Sequence, residues 1–146
     1  MTVVVYRDGI LAGDNCSWSD GIRRKSTKVF RFYSWGELHL VGFTGQEGYC
    51  RQVLNWLQEK EAKPVYLDKD TEHYQCALLV RNGVIYTLNN ALDLIPTDEE
   101  YFAIGAGQEI AWGALHAGAT AEEAVMIVQH RSNYAAFGAT KVSIHE

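Results

Sequence analysis

Thr2 to Arg7 reads TVVVYR, a run that is β-branched and apolar at successive positions. A strand with one wet face alternates apolar and polar residues, whereas a strand without that alternation has to be covered on both faces. The chain therefore needs protein layers on either side of its first strand, which excludes a single sheet open to water. Asp8-Gly9 follows, a strong two-residue hairpin signal, and Ile10 to Gly13 resumes the apolar run. The first residues are thus expected to be locked into a sheet, where most domains leave theirs frayed.

The remaining pattern supplies the other layers. Lys28 to Tyr33 alternates, Ser34-Trp35-Gly36 turns the chain, and Leu38 to Phe43 returns as a second hairpin. After Thr44-Gly45-Gln46-Glu47, the residues Cys50, Val53, Leu54 and Leu57 fall on one face of a helix. Residues 15–26 read as polar with no element of their own, and residues 58–73 as charged with little periodicity. Gln75 to Val80 and Val84 to Leu88 flank Asn82-Gly83 as a third hairpin. Tyr101 to Ile104 is a short strand after a polar, proline-containing loop. Gly105-Ala106-Gly107 then opens a small-residue helix that Gly118 stops near Ala117. Thr120 and Glu123 form a capping box for a helix to about Arg131, and Thr140 to Ile144 is a last strand. Strands, one helix, strands, two helices and a strand fit an α+β arrangement of two sheets between helical layers.

Composition narrows the function classes. At 146 residues, 47% of them hydrophobic and 21% charged, the chain is expected to form a single domain over residues 1–146 and not a disordered segment. A formal net charge of −5 argues against nucleic acid as the main partner, because phosphate binding needs a basic face. No apolar run reaches the roughly 20 residues of a membrane span, and the first residues lack the features of a secretory signal. Cys16, Cys50 and Cys76 are scattered and form neither a disulfide framework nor a metal-type pair. These features point to a cytoplasmic protein with no membrane partner.

Ordered landmarks then run along nearly the whole chain. They are Thr2 at the start of the first strand, Gly13-Asp14 at the end of the second, Lys28-Val29, and Gly42-Phe43-Thr44-Gly45 before the first helix. Ala103-Ile104-Gly105-Ala106-Gly107 and Ala119-Thr120-Ala121-Glu122-Glu123-Ala124 open the later helices. In this order and spacing they resemble the proteasome β-subunit and HslV peptidase family of N-terminal nucleophile (Ntn) hydrolases. The resemblance implies a four-layer αββα sandwich, a homo-oligomeric ring, and hydrolysis of peptides or unfolded proteins by an N-terminal threonine. It implies Thr2 as nucleophile once Met1 is removed, Asp14 and Lys28 as its charged partners, and Gly45 as oxyanion donor. No cofactor or metal is implied, and the resemblance does not identify an ATP-dependent unfoldase partner.

The chemistry of that set is coherent. A threonine hydroxyl needs a base within hydrogen-bond reach. A free N-terminal amine, with a reference pKa of about 7.7–8.0, titrates where a general base should. A Lys28 ammonium would favour the neutral amine, and Asp14 would hold Lys28 charged and oriented. With Met1 attached, the Thr2 nitrogen is an amide and the base is absent.

Two departures from the family pattern stand out. Supporting Ser and Asp positions hold Ala106, Asn133 and Ala136. In addition, only the 16 residues of 58–73 stand where the family places a second long helix, so one helical layer is expected to be reduced and an apolar strip left uncovered. Other candidates carry plainer readings: His73 and Cys76 as structural or surface residues, Phe43 as core ahead of pocket lining, His116 as surface. The four tryptophans read as packing, or as subunit contacts where exposed. The leading expectation is a threonine-type endopeptidase. The alternative is a catalytically degenerate ring or scaffold protein, and a small-molecule amidase of the same superfamily is a third reading without support of its own.

Overall fold

The computed structural model describes residues 2–145. Four X-Gly pairs make tight reversals. Asp8-Gly9, Asp20-Gly21, Trp35-Gly36 and Asn82-Gly83 all have positive φ at both positions, between 49° and 81°, the conformation whose twist matches paired strands. The first joins β1 (Val3–Arg7) to β2 (Ile10–Asp14), and the second joins β3 (Cys16–Ser19) to β4 (Ile22–Lys25). The third joins β5 (Val29–Ser34) to β6 (Glu37–Phe43), and the fourth joins β7 (Gln75–Arg81) to β8 (Val84–Asn89).

Among the described residues β3 and β4 form a two-stranded sheet of their own, and the other strands form two larger antiparallel sheets. One has the order β10-β1-β2-β11, with β10 at Tyr101–Gly105 and β11 at Ala139–Ser143. The other runs β5-β6-β7-β8-β9, with β9 at Leu94–Thr97. β1 alternates strictly between two cores. Val3 and Val5 meet helices α2 (Gln108–His116) and α3 (Ala121–Gln129), while Val4 and Tyr6 meet Val29, Leu40, Leu78, Val80 and Ile85 of the second sheet. That is the two-sided cover demanded by TVVVYR. The sheets approach closely at Gly42, where a Cβ would stand 2.4 Å from Val4 Cγ1.

Helix α1 (Glu47–Leu57) covers the outer face of the five-stranded sheet through Tyr49, Cys50, Val53, Leu54 and Leu57. The layers are therefore αββα, with a single α-helix on the α1 side among the described residues. Residues 58–73 contain only a 3-10 turn at Lys69–Thr71. They still roof part of the strip expected to be bare: Tyr66 packs edge-on against Tyr49 with ring centres 4.9 Å apart.

Three strands were not expected from the sequence. Residues 15–26 form the β3–β4 hairpin, whose short polar strands hide their alternation although Asp20-Gly21 marks its turn. β9 lies in the proline-containing loop. Its Pro96 is tolerated because β9 is the sheet edge, with one neighbour only. Among the described residues no helix is long and apolar enough to cross a membrane.

Candidate active site

Asp14 is where the elements converge. It ends β2, is fully buried, and its carboxylate accepts four hydrogen bonds. Oδ1 takes the backbone N–H of Val3 (3.1 Å) and Lys28 Nζ (3.3 Å), while Oδ2 takes the N–H of Cys16 (3.1 Å) and of Ala136 (3.4 Å). One side chain thus fixes the start of β1, the start of β3, the residue before β5 and the loop before β11. Burial raises the Asp14 pKa above its ordinary value against the pull of Lys28 and the backbone donors. Burial likewise lowers the Lys28 pKa below its ordinary value against the pull of Asp14.

Lys28 sits immediately before β5, its carbonyl held by the N–H of Phe43 at 3.0 Å. Thr2 sits immediately before β1 and is 1% exposed. The Thr2 carbonyl accepts the Gly107 N–H at 3.3 Å and passes so close to Gly105 that a Cβ there would lie 2.1 Å from it. Gly105, at φ 110°, therefore serves close backbone approach as well as conformation. Thr2 Oγ1 is buried with no hydrogen-bond partner among the described residues. Such a group is costly to leave unpaired and asks for a functional explanation.

Thr2, Lys28 and Gly45 line one narrow cleft of about 50 Å³, and Asp14 stands behind Lys28. Gly45 lies between β6 and α1, where a Cβ would sit 3.2 Å from Cys76 Cβ and 3.4 Å from Cys50 Sγ. Packing alone therefore favours glycine there. Phe30, Phe43, Cys50 and Leu54 make the cleft's apolar wall, so Phe43 is both core and lining. Burial pushes the Cys50 thiol up to about 11, against the Gly45 N–H that favours its thiolate. All three cysteines are buried and free.

Ser17, Ser26, Glu47 and Arg51 also line the cleft, and sequence reasoning did not single them out. Ser17 lies in the unforeseen hairpin. Glu47 had a signal only as a first-turn acid of the helix. Of the family-derived support positions, Ala136 reaches Asp14 through its backbone N–H, whereas Ala106 and Asn133 are exposed. His73 is exposed and packs on Tyr74, and Cys76 is buried with its thiol toward the Asn89 carbonyl. Among the described residues no group of three or more His, Cys, Asp or Glu side chains is placed to hold a metal. The expected removal of Met1 concerns a residue outside the described ones.

No protein-family model matches this chain, and no curated protein matches it. Solved structures do. The protein BPH of Thiobacillus denitrificans, in complex with epoxomicin, superimposes with a TM-score of 0.68 at 15% identity, over 97% of this chain and 96% of that one. Eukaryotic HslV from Trypanosoma brucei matches with a TM-score of 0.63 at 17% identity, over 97% of both chains. Anbu, an ancestral beta-subunit from Yersinia bercovieri, matches with a TM-score of 0.70 at 15% identity, over 97% of this chain and 80% of that one. At such identities the likeness establishes the fold: a proteasome-like Ntn-hydrolase αββα sandwich with a reduced helical layer.

Proposed function

We propose that this protein is a threonine-type endopeptidase that works once Met1 is removed. The observation that carries the proposal is the buried, unpartnered Thr2 hydroxyl in the cleft shared with Lys28, backed by the Lys28–Asp14 pair. In the proposed reaction Thr2 Oγ1 attacks the substrate carbonyl carbon as its proton passes to the freed Thr2 amine. The Lys28 ammonium disfavours a second cation beside it and so keeps that amine unprotonated near neutral pH. Asp14 fixes the position of Lys28. The Gly45 N–H is assigned to the tetrahedral oxyanion, a contact typically worth ~10²–10³ in rate. The amine then protonates the leaving nitrogen, the peptide C–N bond breaks, and water releases the acyl group from Thr2.

A second reading has its own observation. Ala106 and Ala136 bring no side-chain hydroxyl to the site, and Asn133 faces solvent. A catalytically silent ring or scaffold component is the function this would suit. We also propose homo-oligomeric assembly for either reading, by analogy with the Anbu complex from Pseudomonas aeruginosa, described as a helical assembly.

Intact-mass spectrometry with a peptide epoxyketone separates the two, since that reagent needs both the hydroxyl and the free amine of an N-terminal threonine. Loss of the Met1 mass followed by one adduct per chain is the expected result. No adduct, even on a chain made to begin at Thr2, would leave the scaffold reading.

A further inference from the structure

Glu47 makes the contacts that tie the β3–β4 hairpin to α1 across the Thr2 cleft. Its Oε2 accepts Ser17 Oγ of β3 at 2.6 Å and Ser26 Oγ of the β4–β5 link at 3.4 Å, and its Oε1 accepts Arg24 Nη2 of β4 at 2.7 Å. Ser17, Ser26 and Glu47 all line the cleft. Ser17, Arg24 and Glu47 also line the adjoining trough of about 820 Å³. The carboxylate therefore stands between a narrow cavity and a wide one. The hairpin it holds is a two-stranded sheet with no further strand beside it among the described residues, and such a unit is marginal by itself. Three charge-assisted or hydroxyl contacts on one carboxylate are a substantial tether for it. The hydrogen bond from Ser17 keeps the Glu47 carboxyl below its usual range, with Arg24 adding to the effect, so the tether is ionised at neutral pH.

We propose that Glu47 is a specificity-determining strap: it holds the hairpin against α1 and so fixes how large a side chain can pass from the trough into the Thr2 cleft. On the peptidase reading proposed above, the selected group is the substrate side chain beside the scissile bond. A cleft of about 50 Å³, with Phe30, Phe43, Cys50 and Leu54 as its apolar wall, selects a small one. The strap acts through the hairpin and touches no reacting atom, so Glu47 is a positioning residue.

Cys50 supplies a reporter that does not depend on catalysis. It lines the same cleft, whereas Cys16 and Cys76 do not. A cysteine thiolate attacks the alkylthio sulfur of a methanethiosulfonate, forming the mixed disulfide as the S–SO2 bond breaks and methanesulfinate leaves. The probes are methyl and benzyl methanethiosulfonate, applied to the full chain, with the site of modification read by peptide mass mapping. In the wild type Cys50 should react much faster with the methyl reagent than with the benzyl one. Glu47→Ala should cut that ratio about tenfold, equivalent to about 1.4 kcal/mol, with Cys76, outside the hairpin, unchanged. Glu47→Gln and Arg24→Met should fall between, which provides a reading if Glu47→Ala fails to fold. An unchanged ratio in the folded variants overturns the strap, and so does equal acceleration at all three cysteines, which would mean general loosening. On a chain that forms the epoxyketone adduct, Glu47→Ala should also shift cleavage from small toward aromatic residues. A chain that gives no adduct but shows the Cys50 effect defeats the peptidase proposal and leaves the strap standing.

Discussion

Thr2 carries a hydroxyl that is buried without a hydrogen-bond partner among the described residues, while its backbone carbonyl is held by Gly107. An unpaired buried polar atom costs about 1–3 kcal/mol. Thr2→Ala should therefore leave the fold unchanged or stabilise it by up to about that amount, while abolishing any peptide cleavage. Parallel denaturation and cleavage assays check both halves, and a clear loss of stability would show that the hydroxyl has a structural partner. Asp14 is the opposite case. Asp14→Ala strands three backbone N–H groups and the Lys28 ammonium together, so it should cost at least the about 3–5 kcal/mol of a broken buried ion pair. Lys28→Met leaves the carboxylate its three backbone donors and should cost less. Urea titration of the two variants gives the order, and the reverse order would contradict the geometry. The pH dependence follows from the same residue. Because burial raises the Asp14 pKa, the native state binds its proton more readily than the unfolded state does. The contribution of Asp14 to stability therefore falls as pH rises through the window that opens at its ordinary value of 3.8. As pH rises above that value, the stability of Asp14→Asn should fall less than that of the wild type, which pH-dependent urea titration of the two chains checks.

Elements were legible where the pattern was long or the turn chemistry explicit. TVVVYR demanded cover on two faces, and β1 has it, with Val3 and Val5 in one core and Val4 and Tyr6 in the other. Thr120 and Glu123 form the expected capping box at the start of α3. Strand β9 was hidden because a proline normally speaks against a strand, and only the sheet order makes Pro96 an edge residue. The β3–β4 hairpin was hidden because its strands are four residues each and largely exposed, too short for a period to emerge from polar residues. The candidate site was legible in the same uneven way. Lys28 and Asp14 are fourteen residues apart, and only the pairing of sheets brings the ammonium to the carboxylate. Glu47 could not be tied to the cleft without knowing that Ser17 and Arg24 lie on a hairpin facing it. Strand β6 holds a further test. At Gly42 a Cβ would stand 2.4 Å from Val4 Cγ1, so Gly42→Ala should overpack the interface between the sheets and cost about 1–3 kcal/mol. Val4→Ala in the same chain should recover part of that loss in a double-mutant cycle, and strictly additive losses would mean the two residues do not meet. On the other face, His39 is fully buried and stacks on Phe32 with ring centres 5.4 Å apart. Its Nδ1 meets the Glu37 carbonyl, and its Nε2 has no partner among the described residues.

At the scale of the molecule, the outer layer beside α1 is where this chain is most economical. An extended stretch runs where the family pattern has a second long helix, as residues 58–73 are too short and too polar to form one. It alternates: Tyr66 turns inward onto Tyr49, while Val65 and Leu67 on either side of it are 77% and 86% exposed. Trp35, at a neighbouring turn, is 52% exposed. Single exposed apolar side chains need no explanation, but several on one layer suit a protein that is covered when assembled. Assembly and chemistry are separable here, because Thr2 contributes a hydroxyl that bonds to nothing among the described residues. The Thr2→Ala chain should therefore sediment as the wild type does, at several times the 16.4 kDa of one chain, while losing the epoxyketone adduct. A wild-type chain that sediments only at the mass of one copy would overturn the homo-oligomer. A Thr2→Ala chain that alone falls apart would instead place Thr2 in the structural framework, and the unpartnered hydroxyl would no longer carry the peptidase proposal.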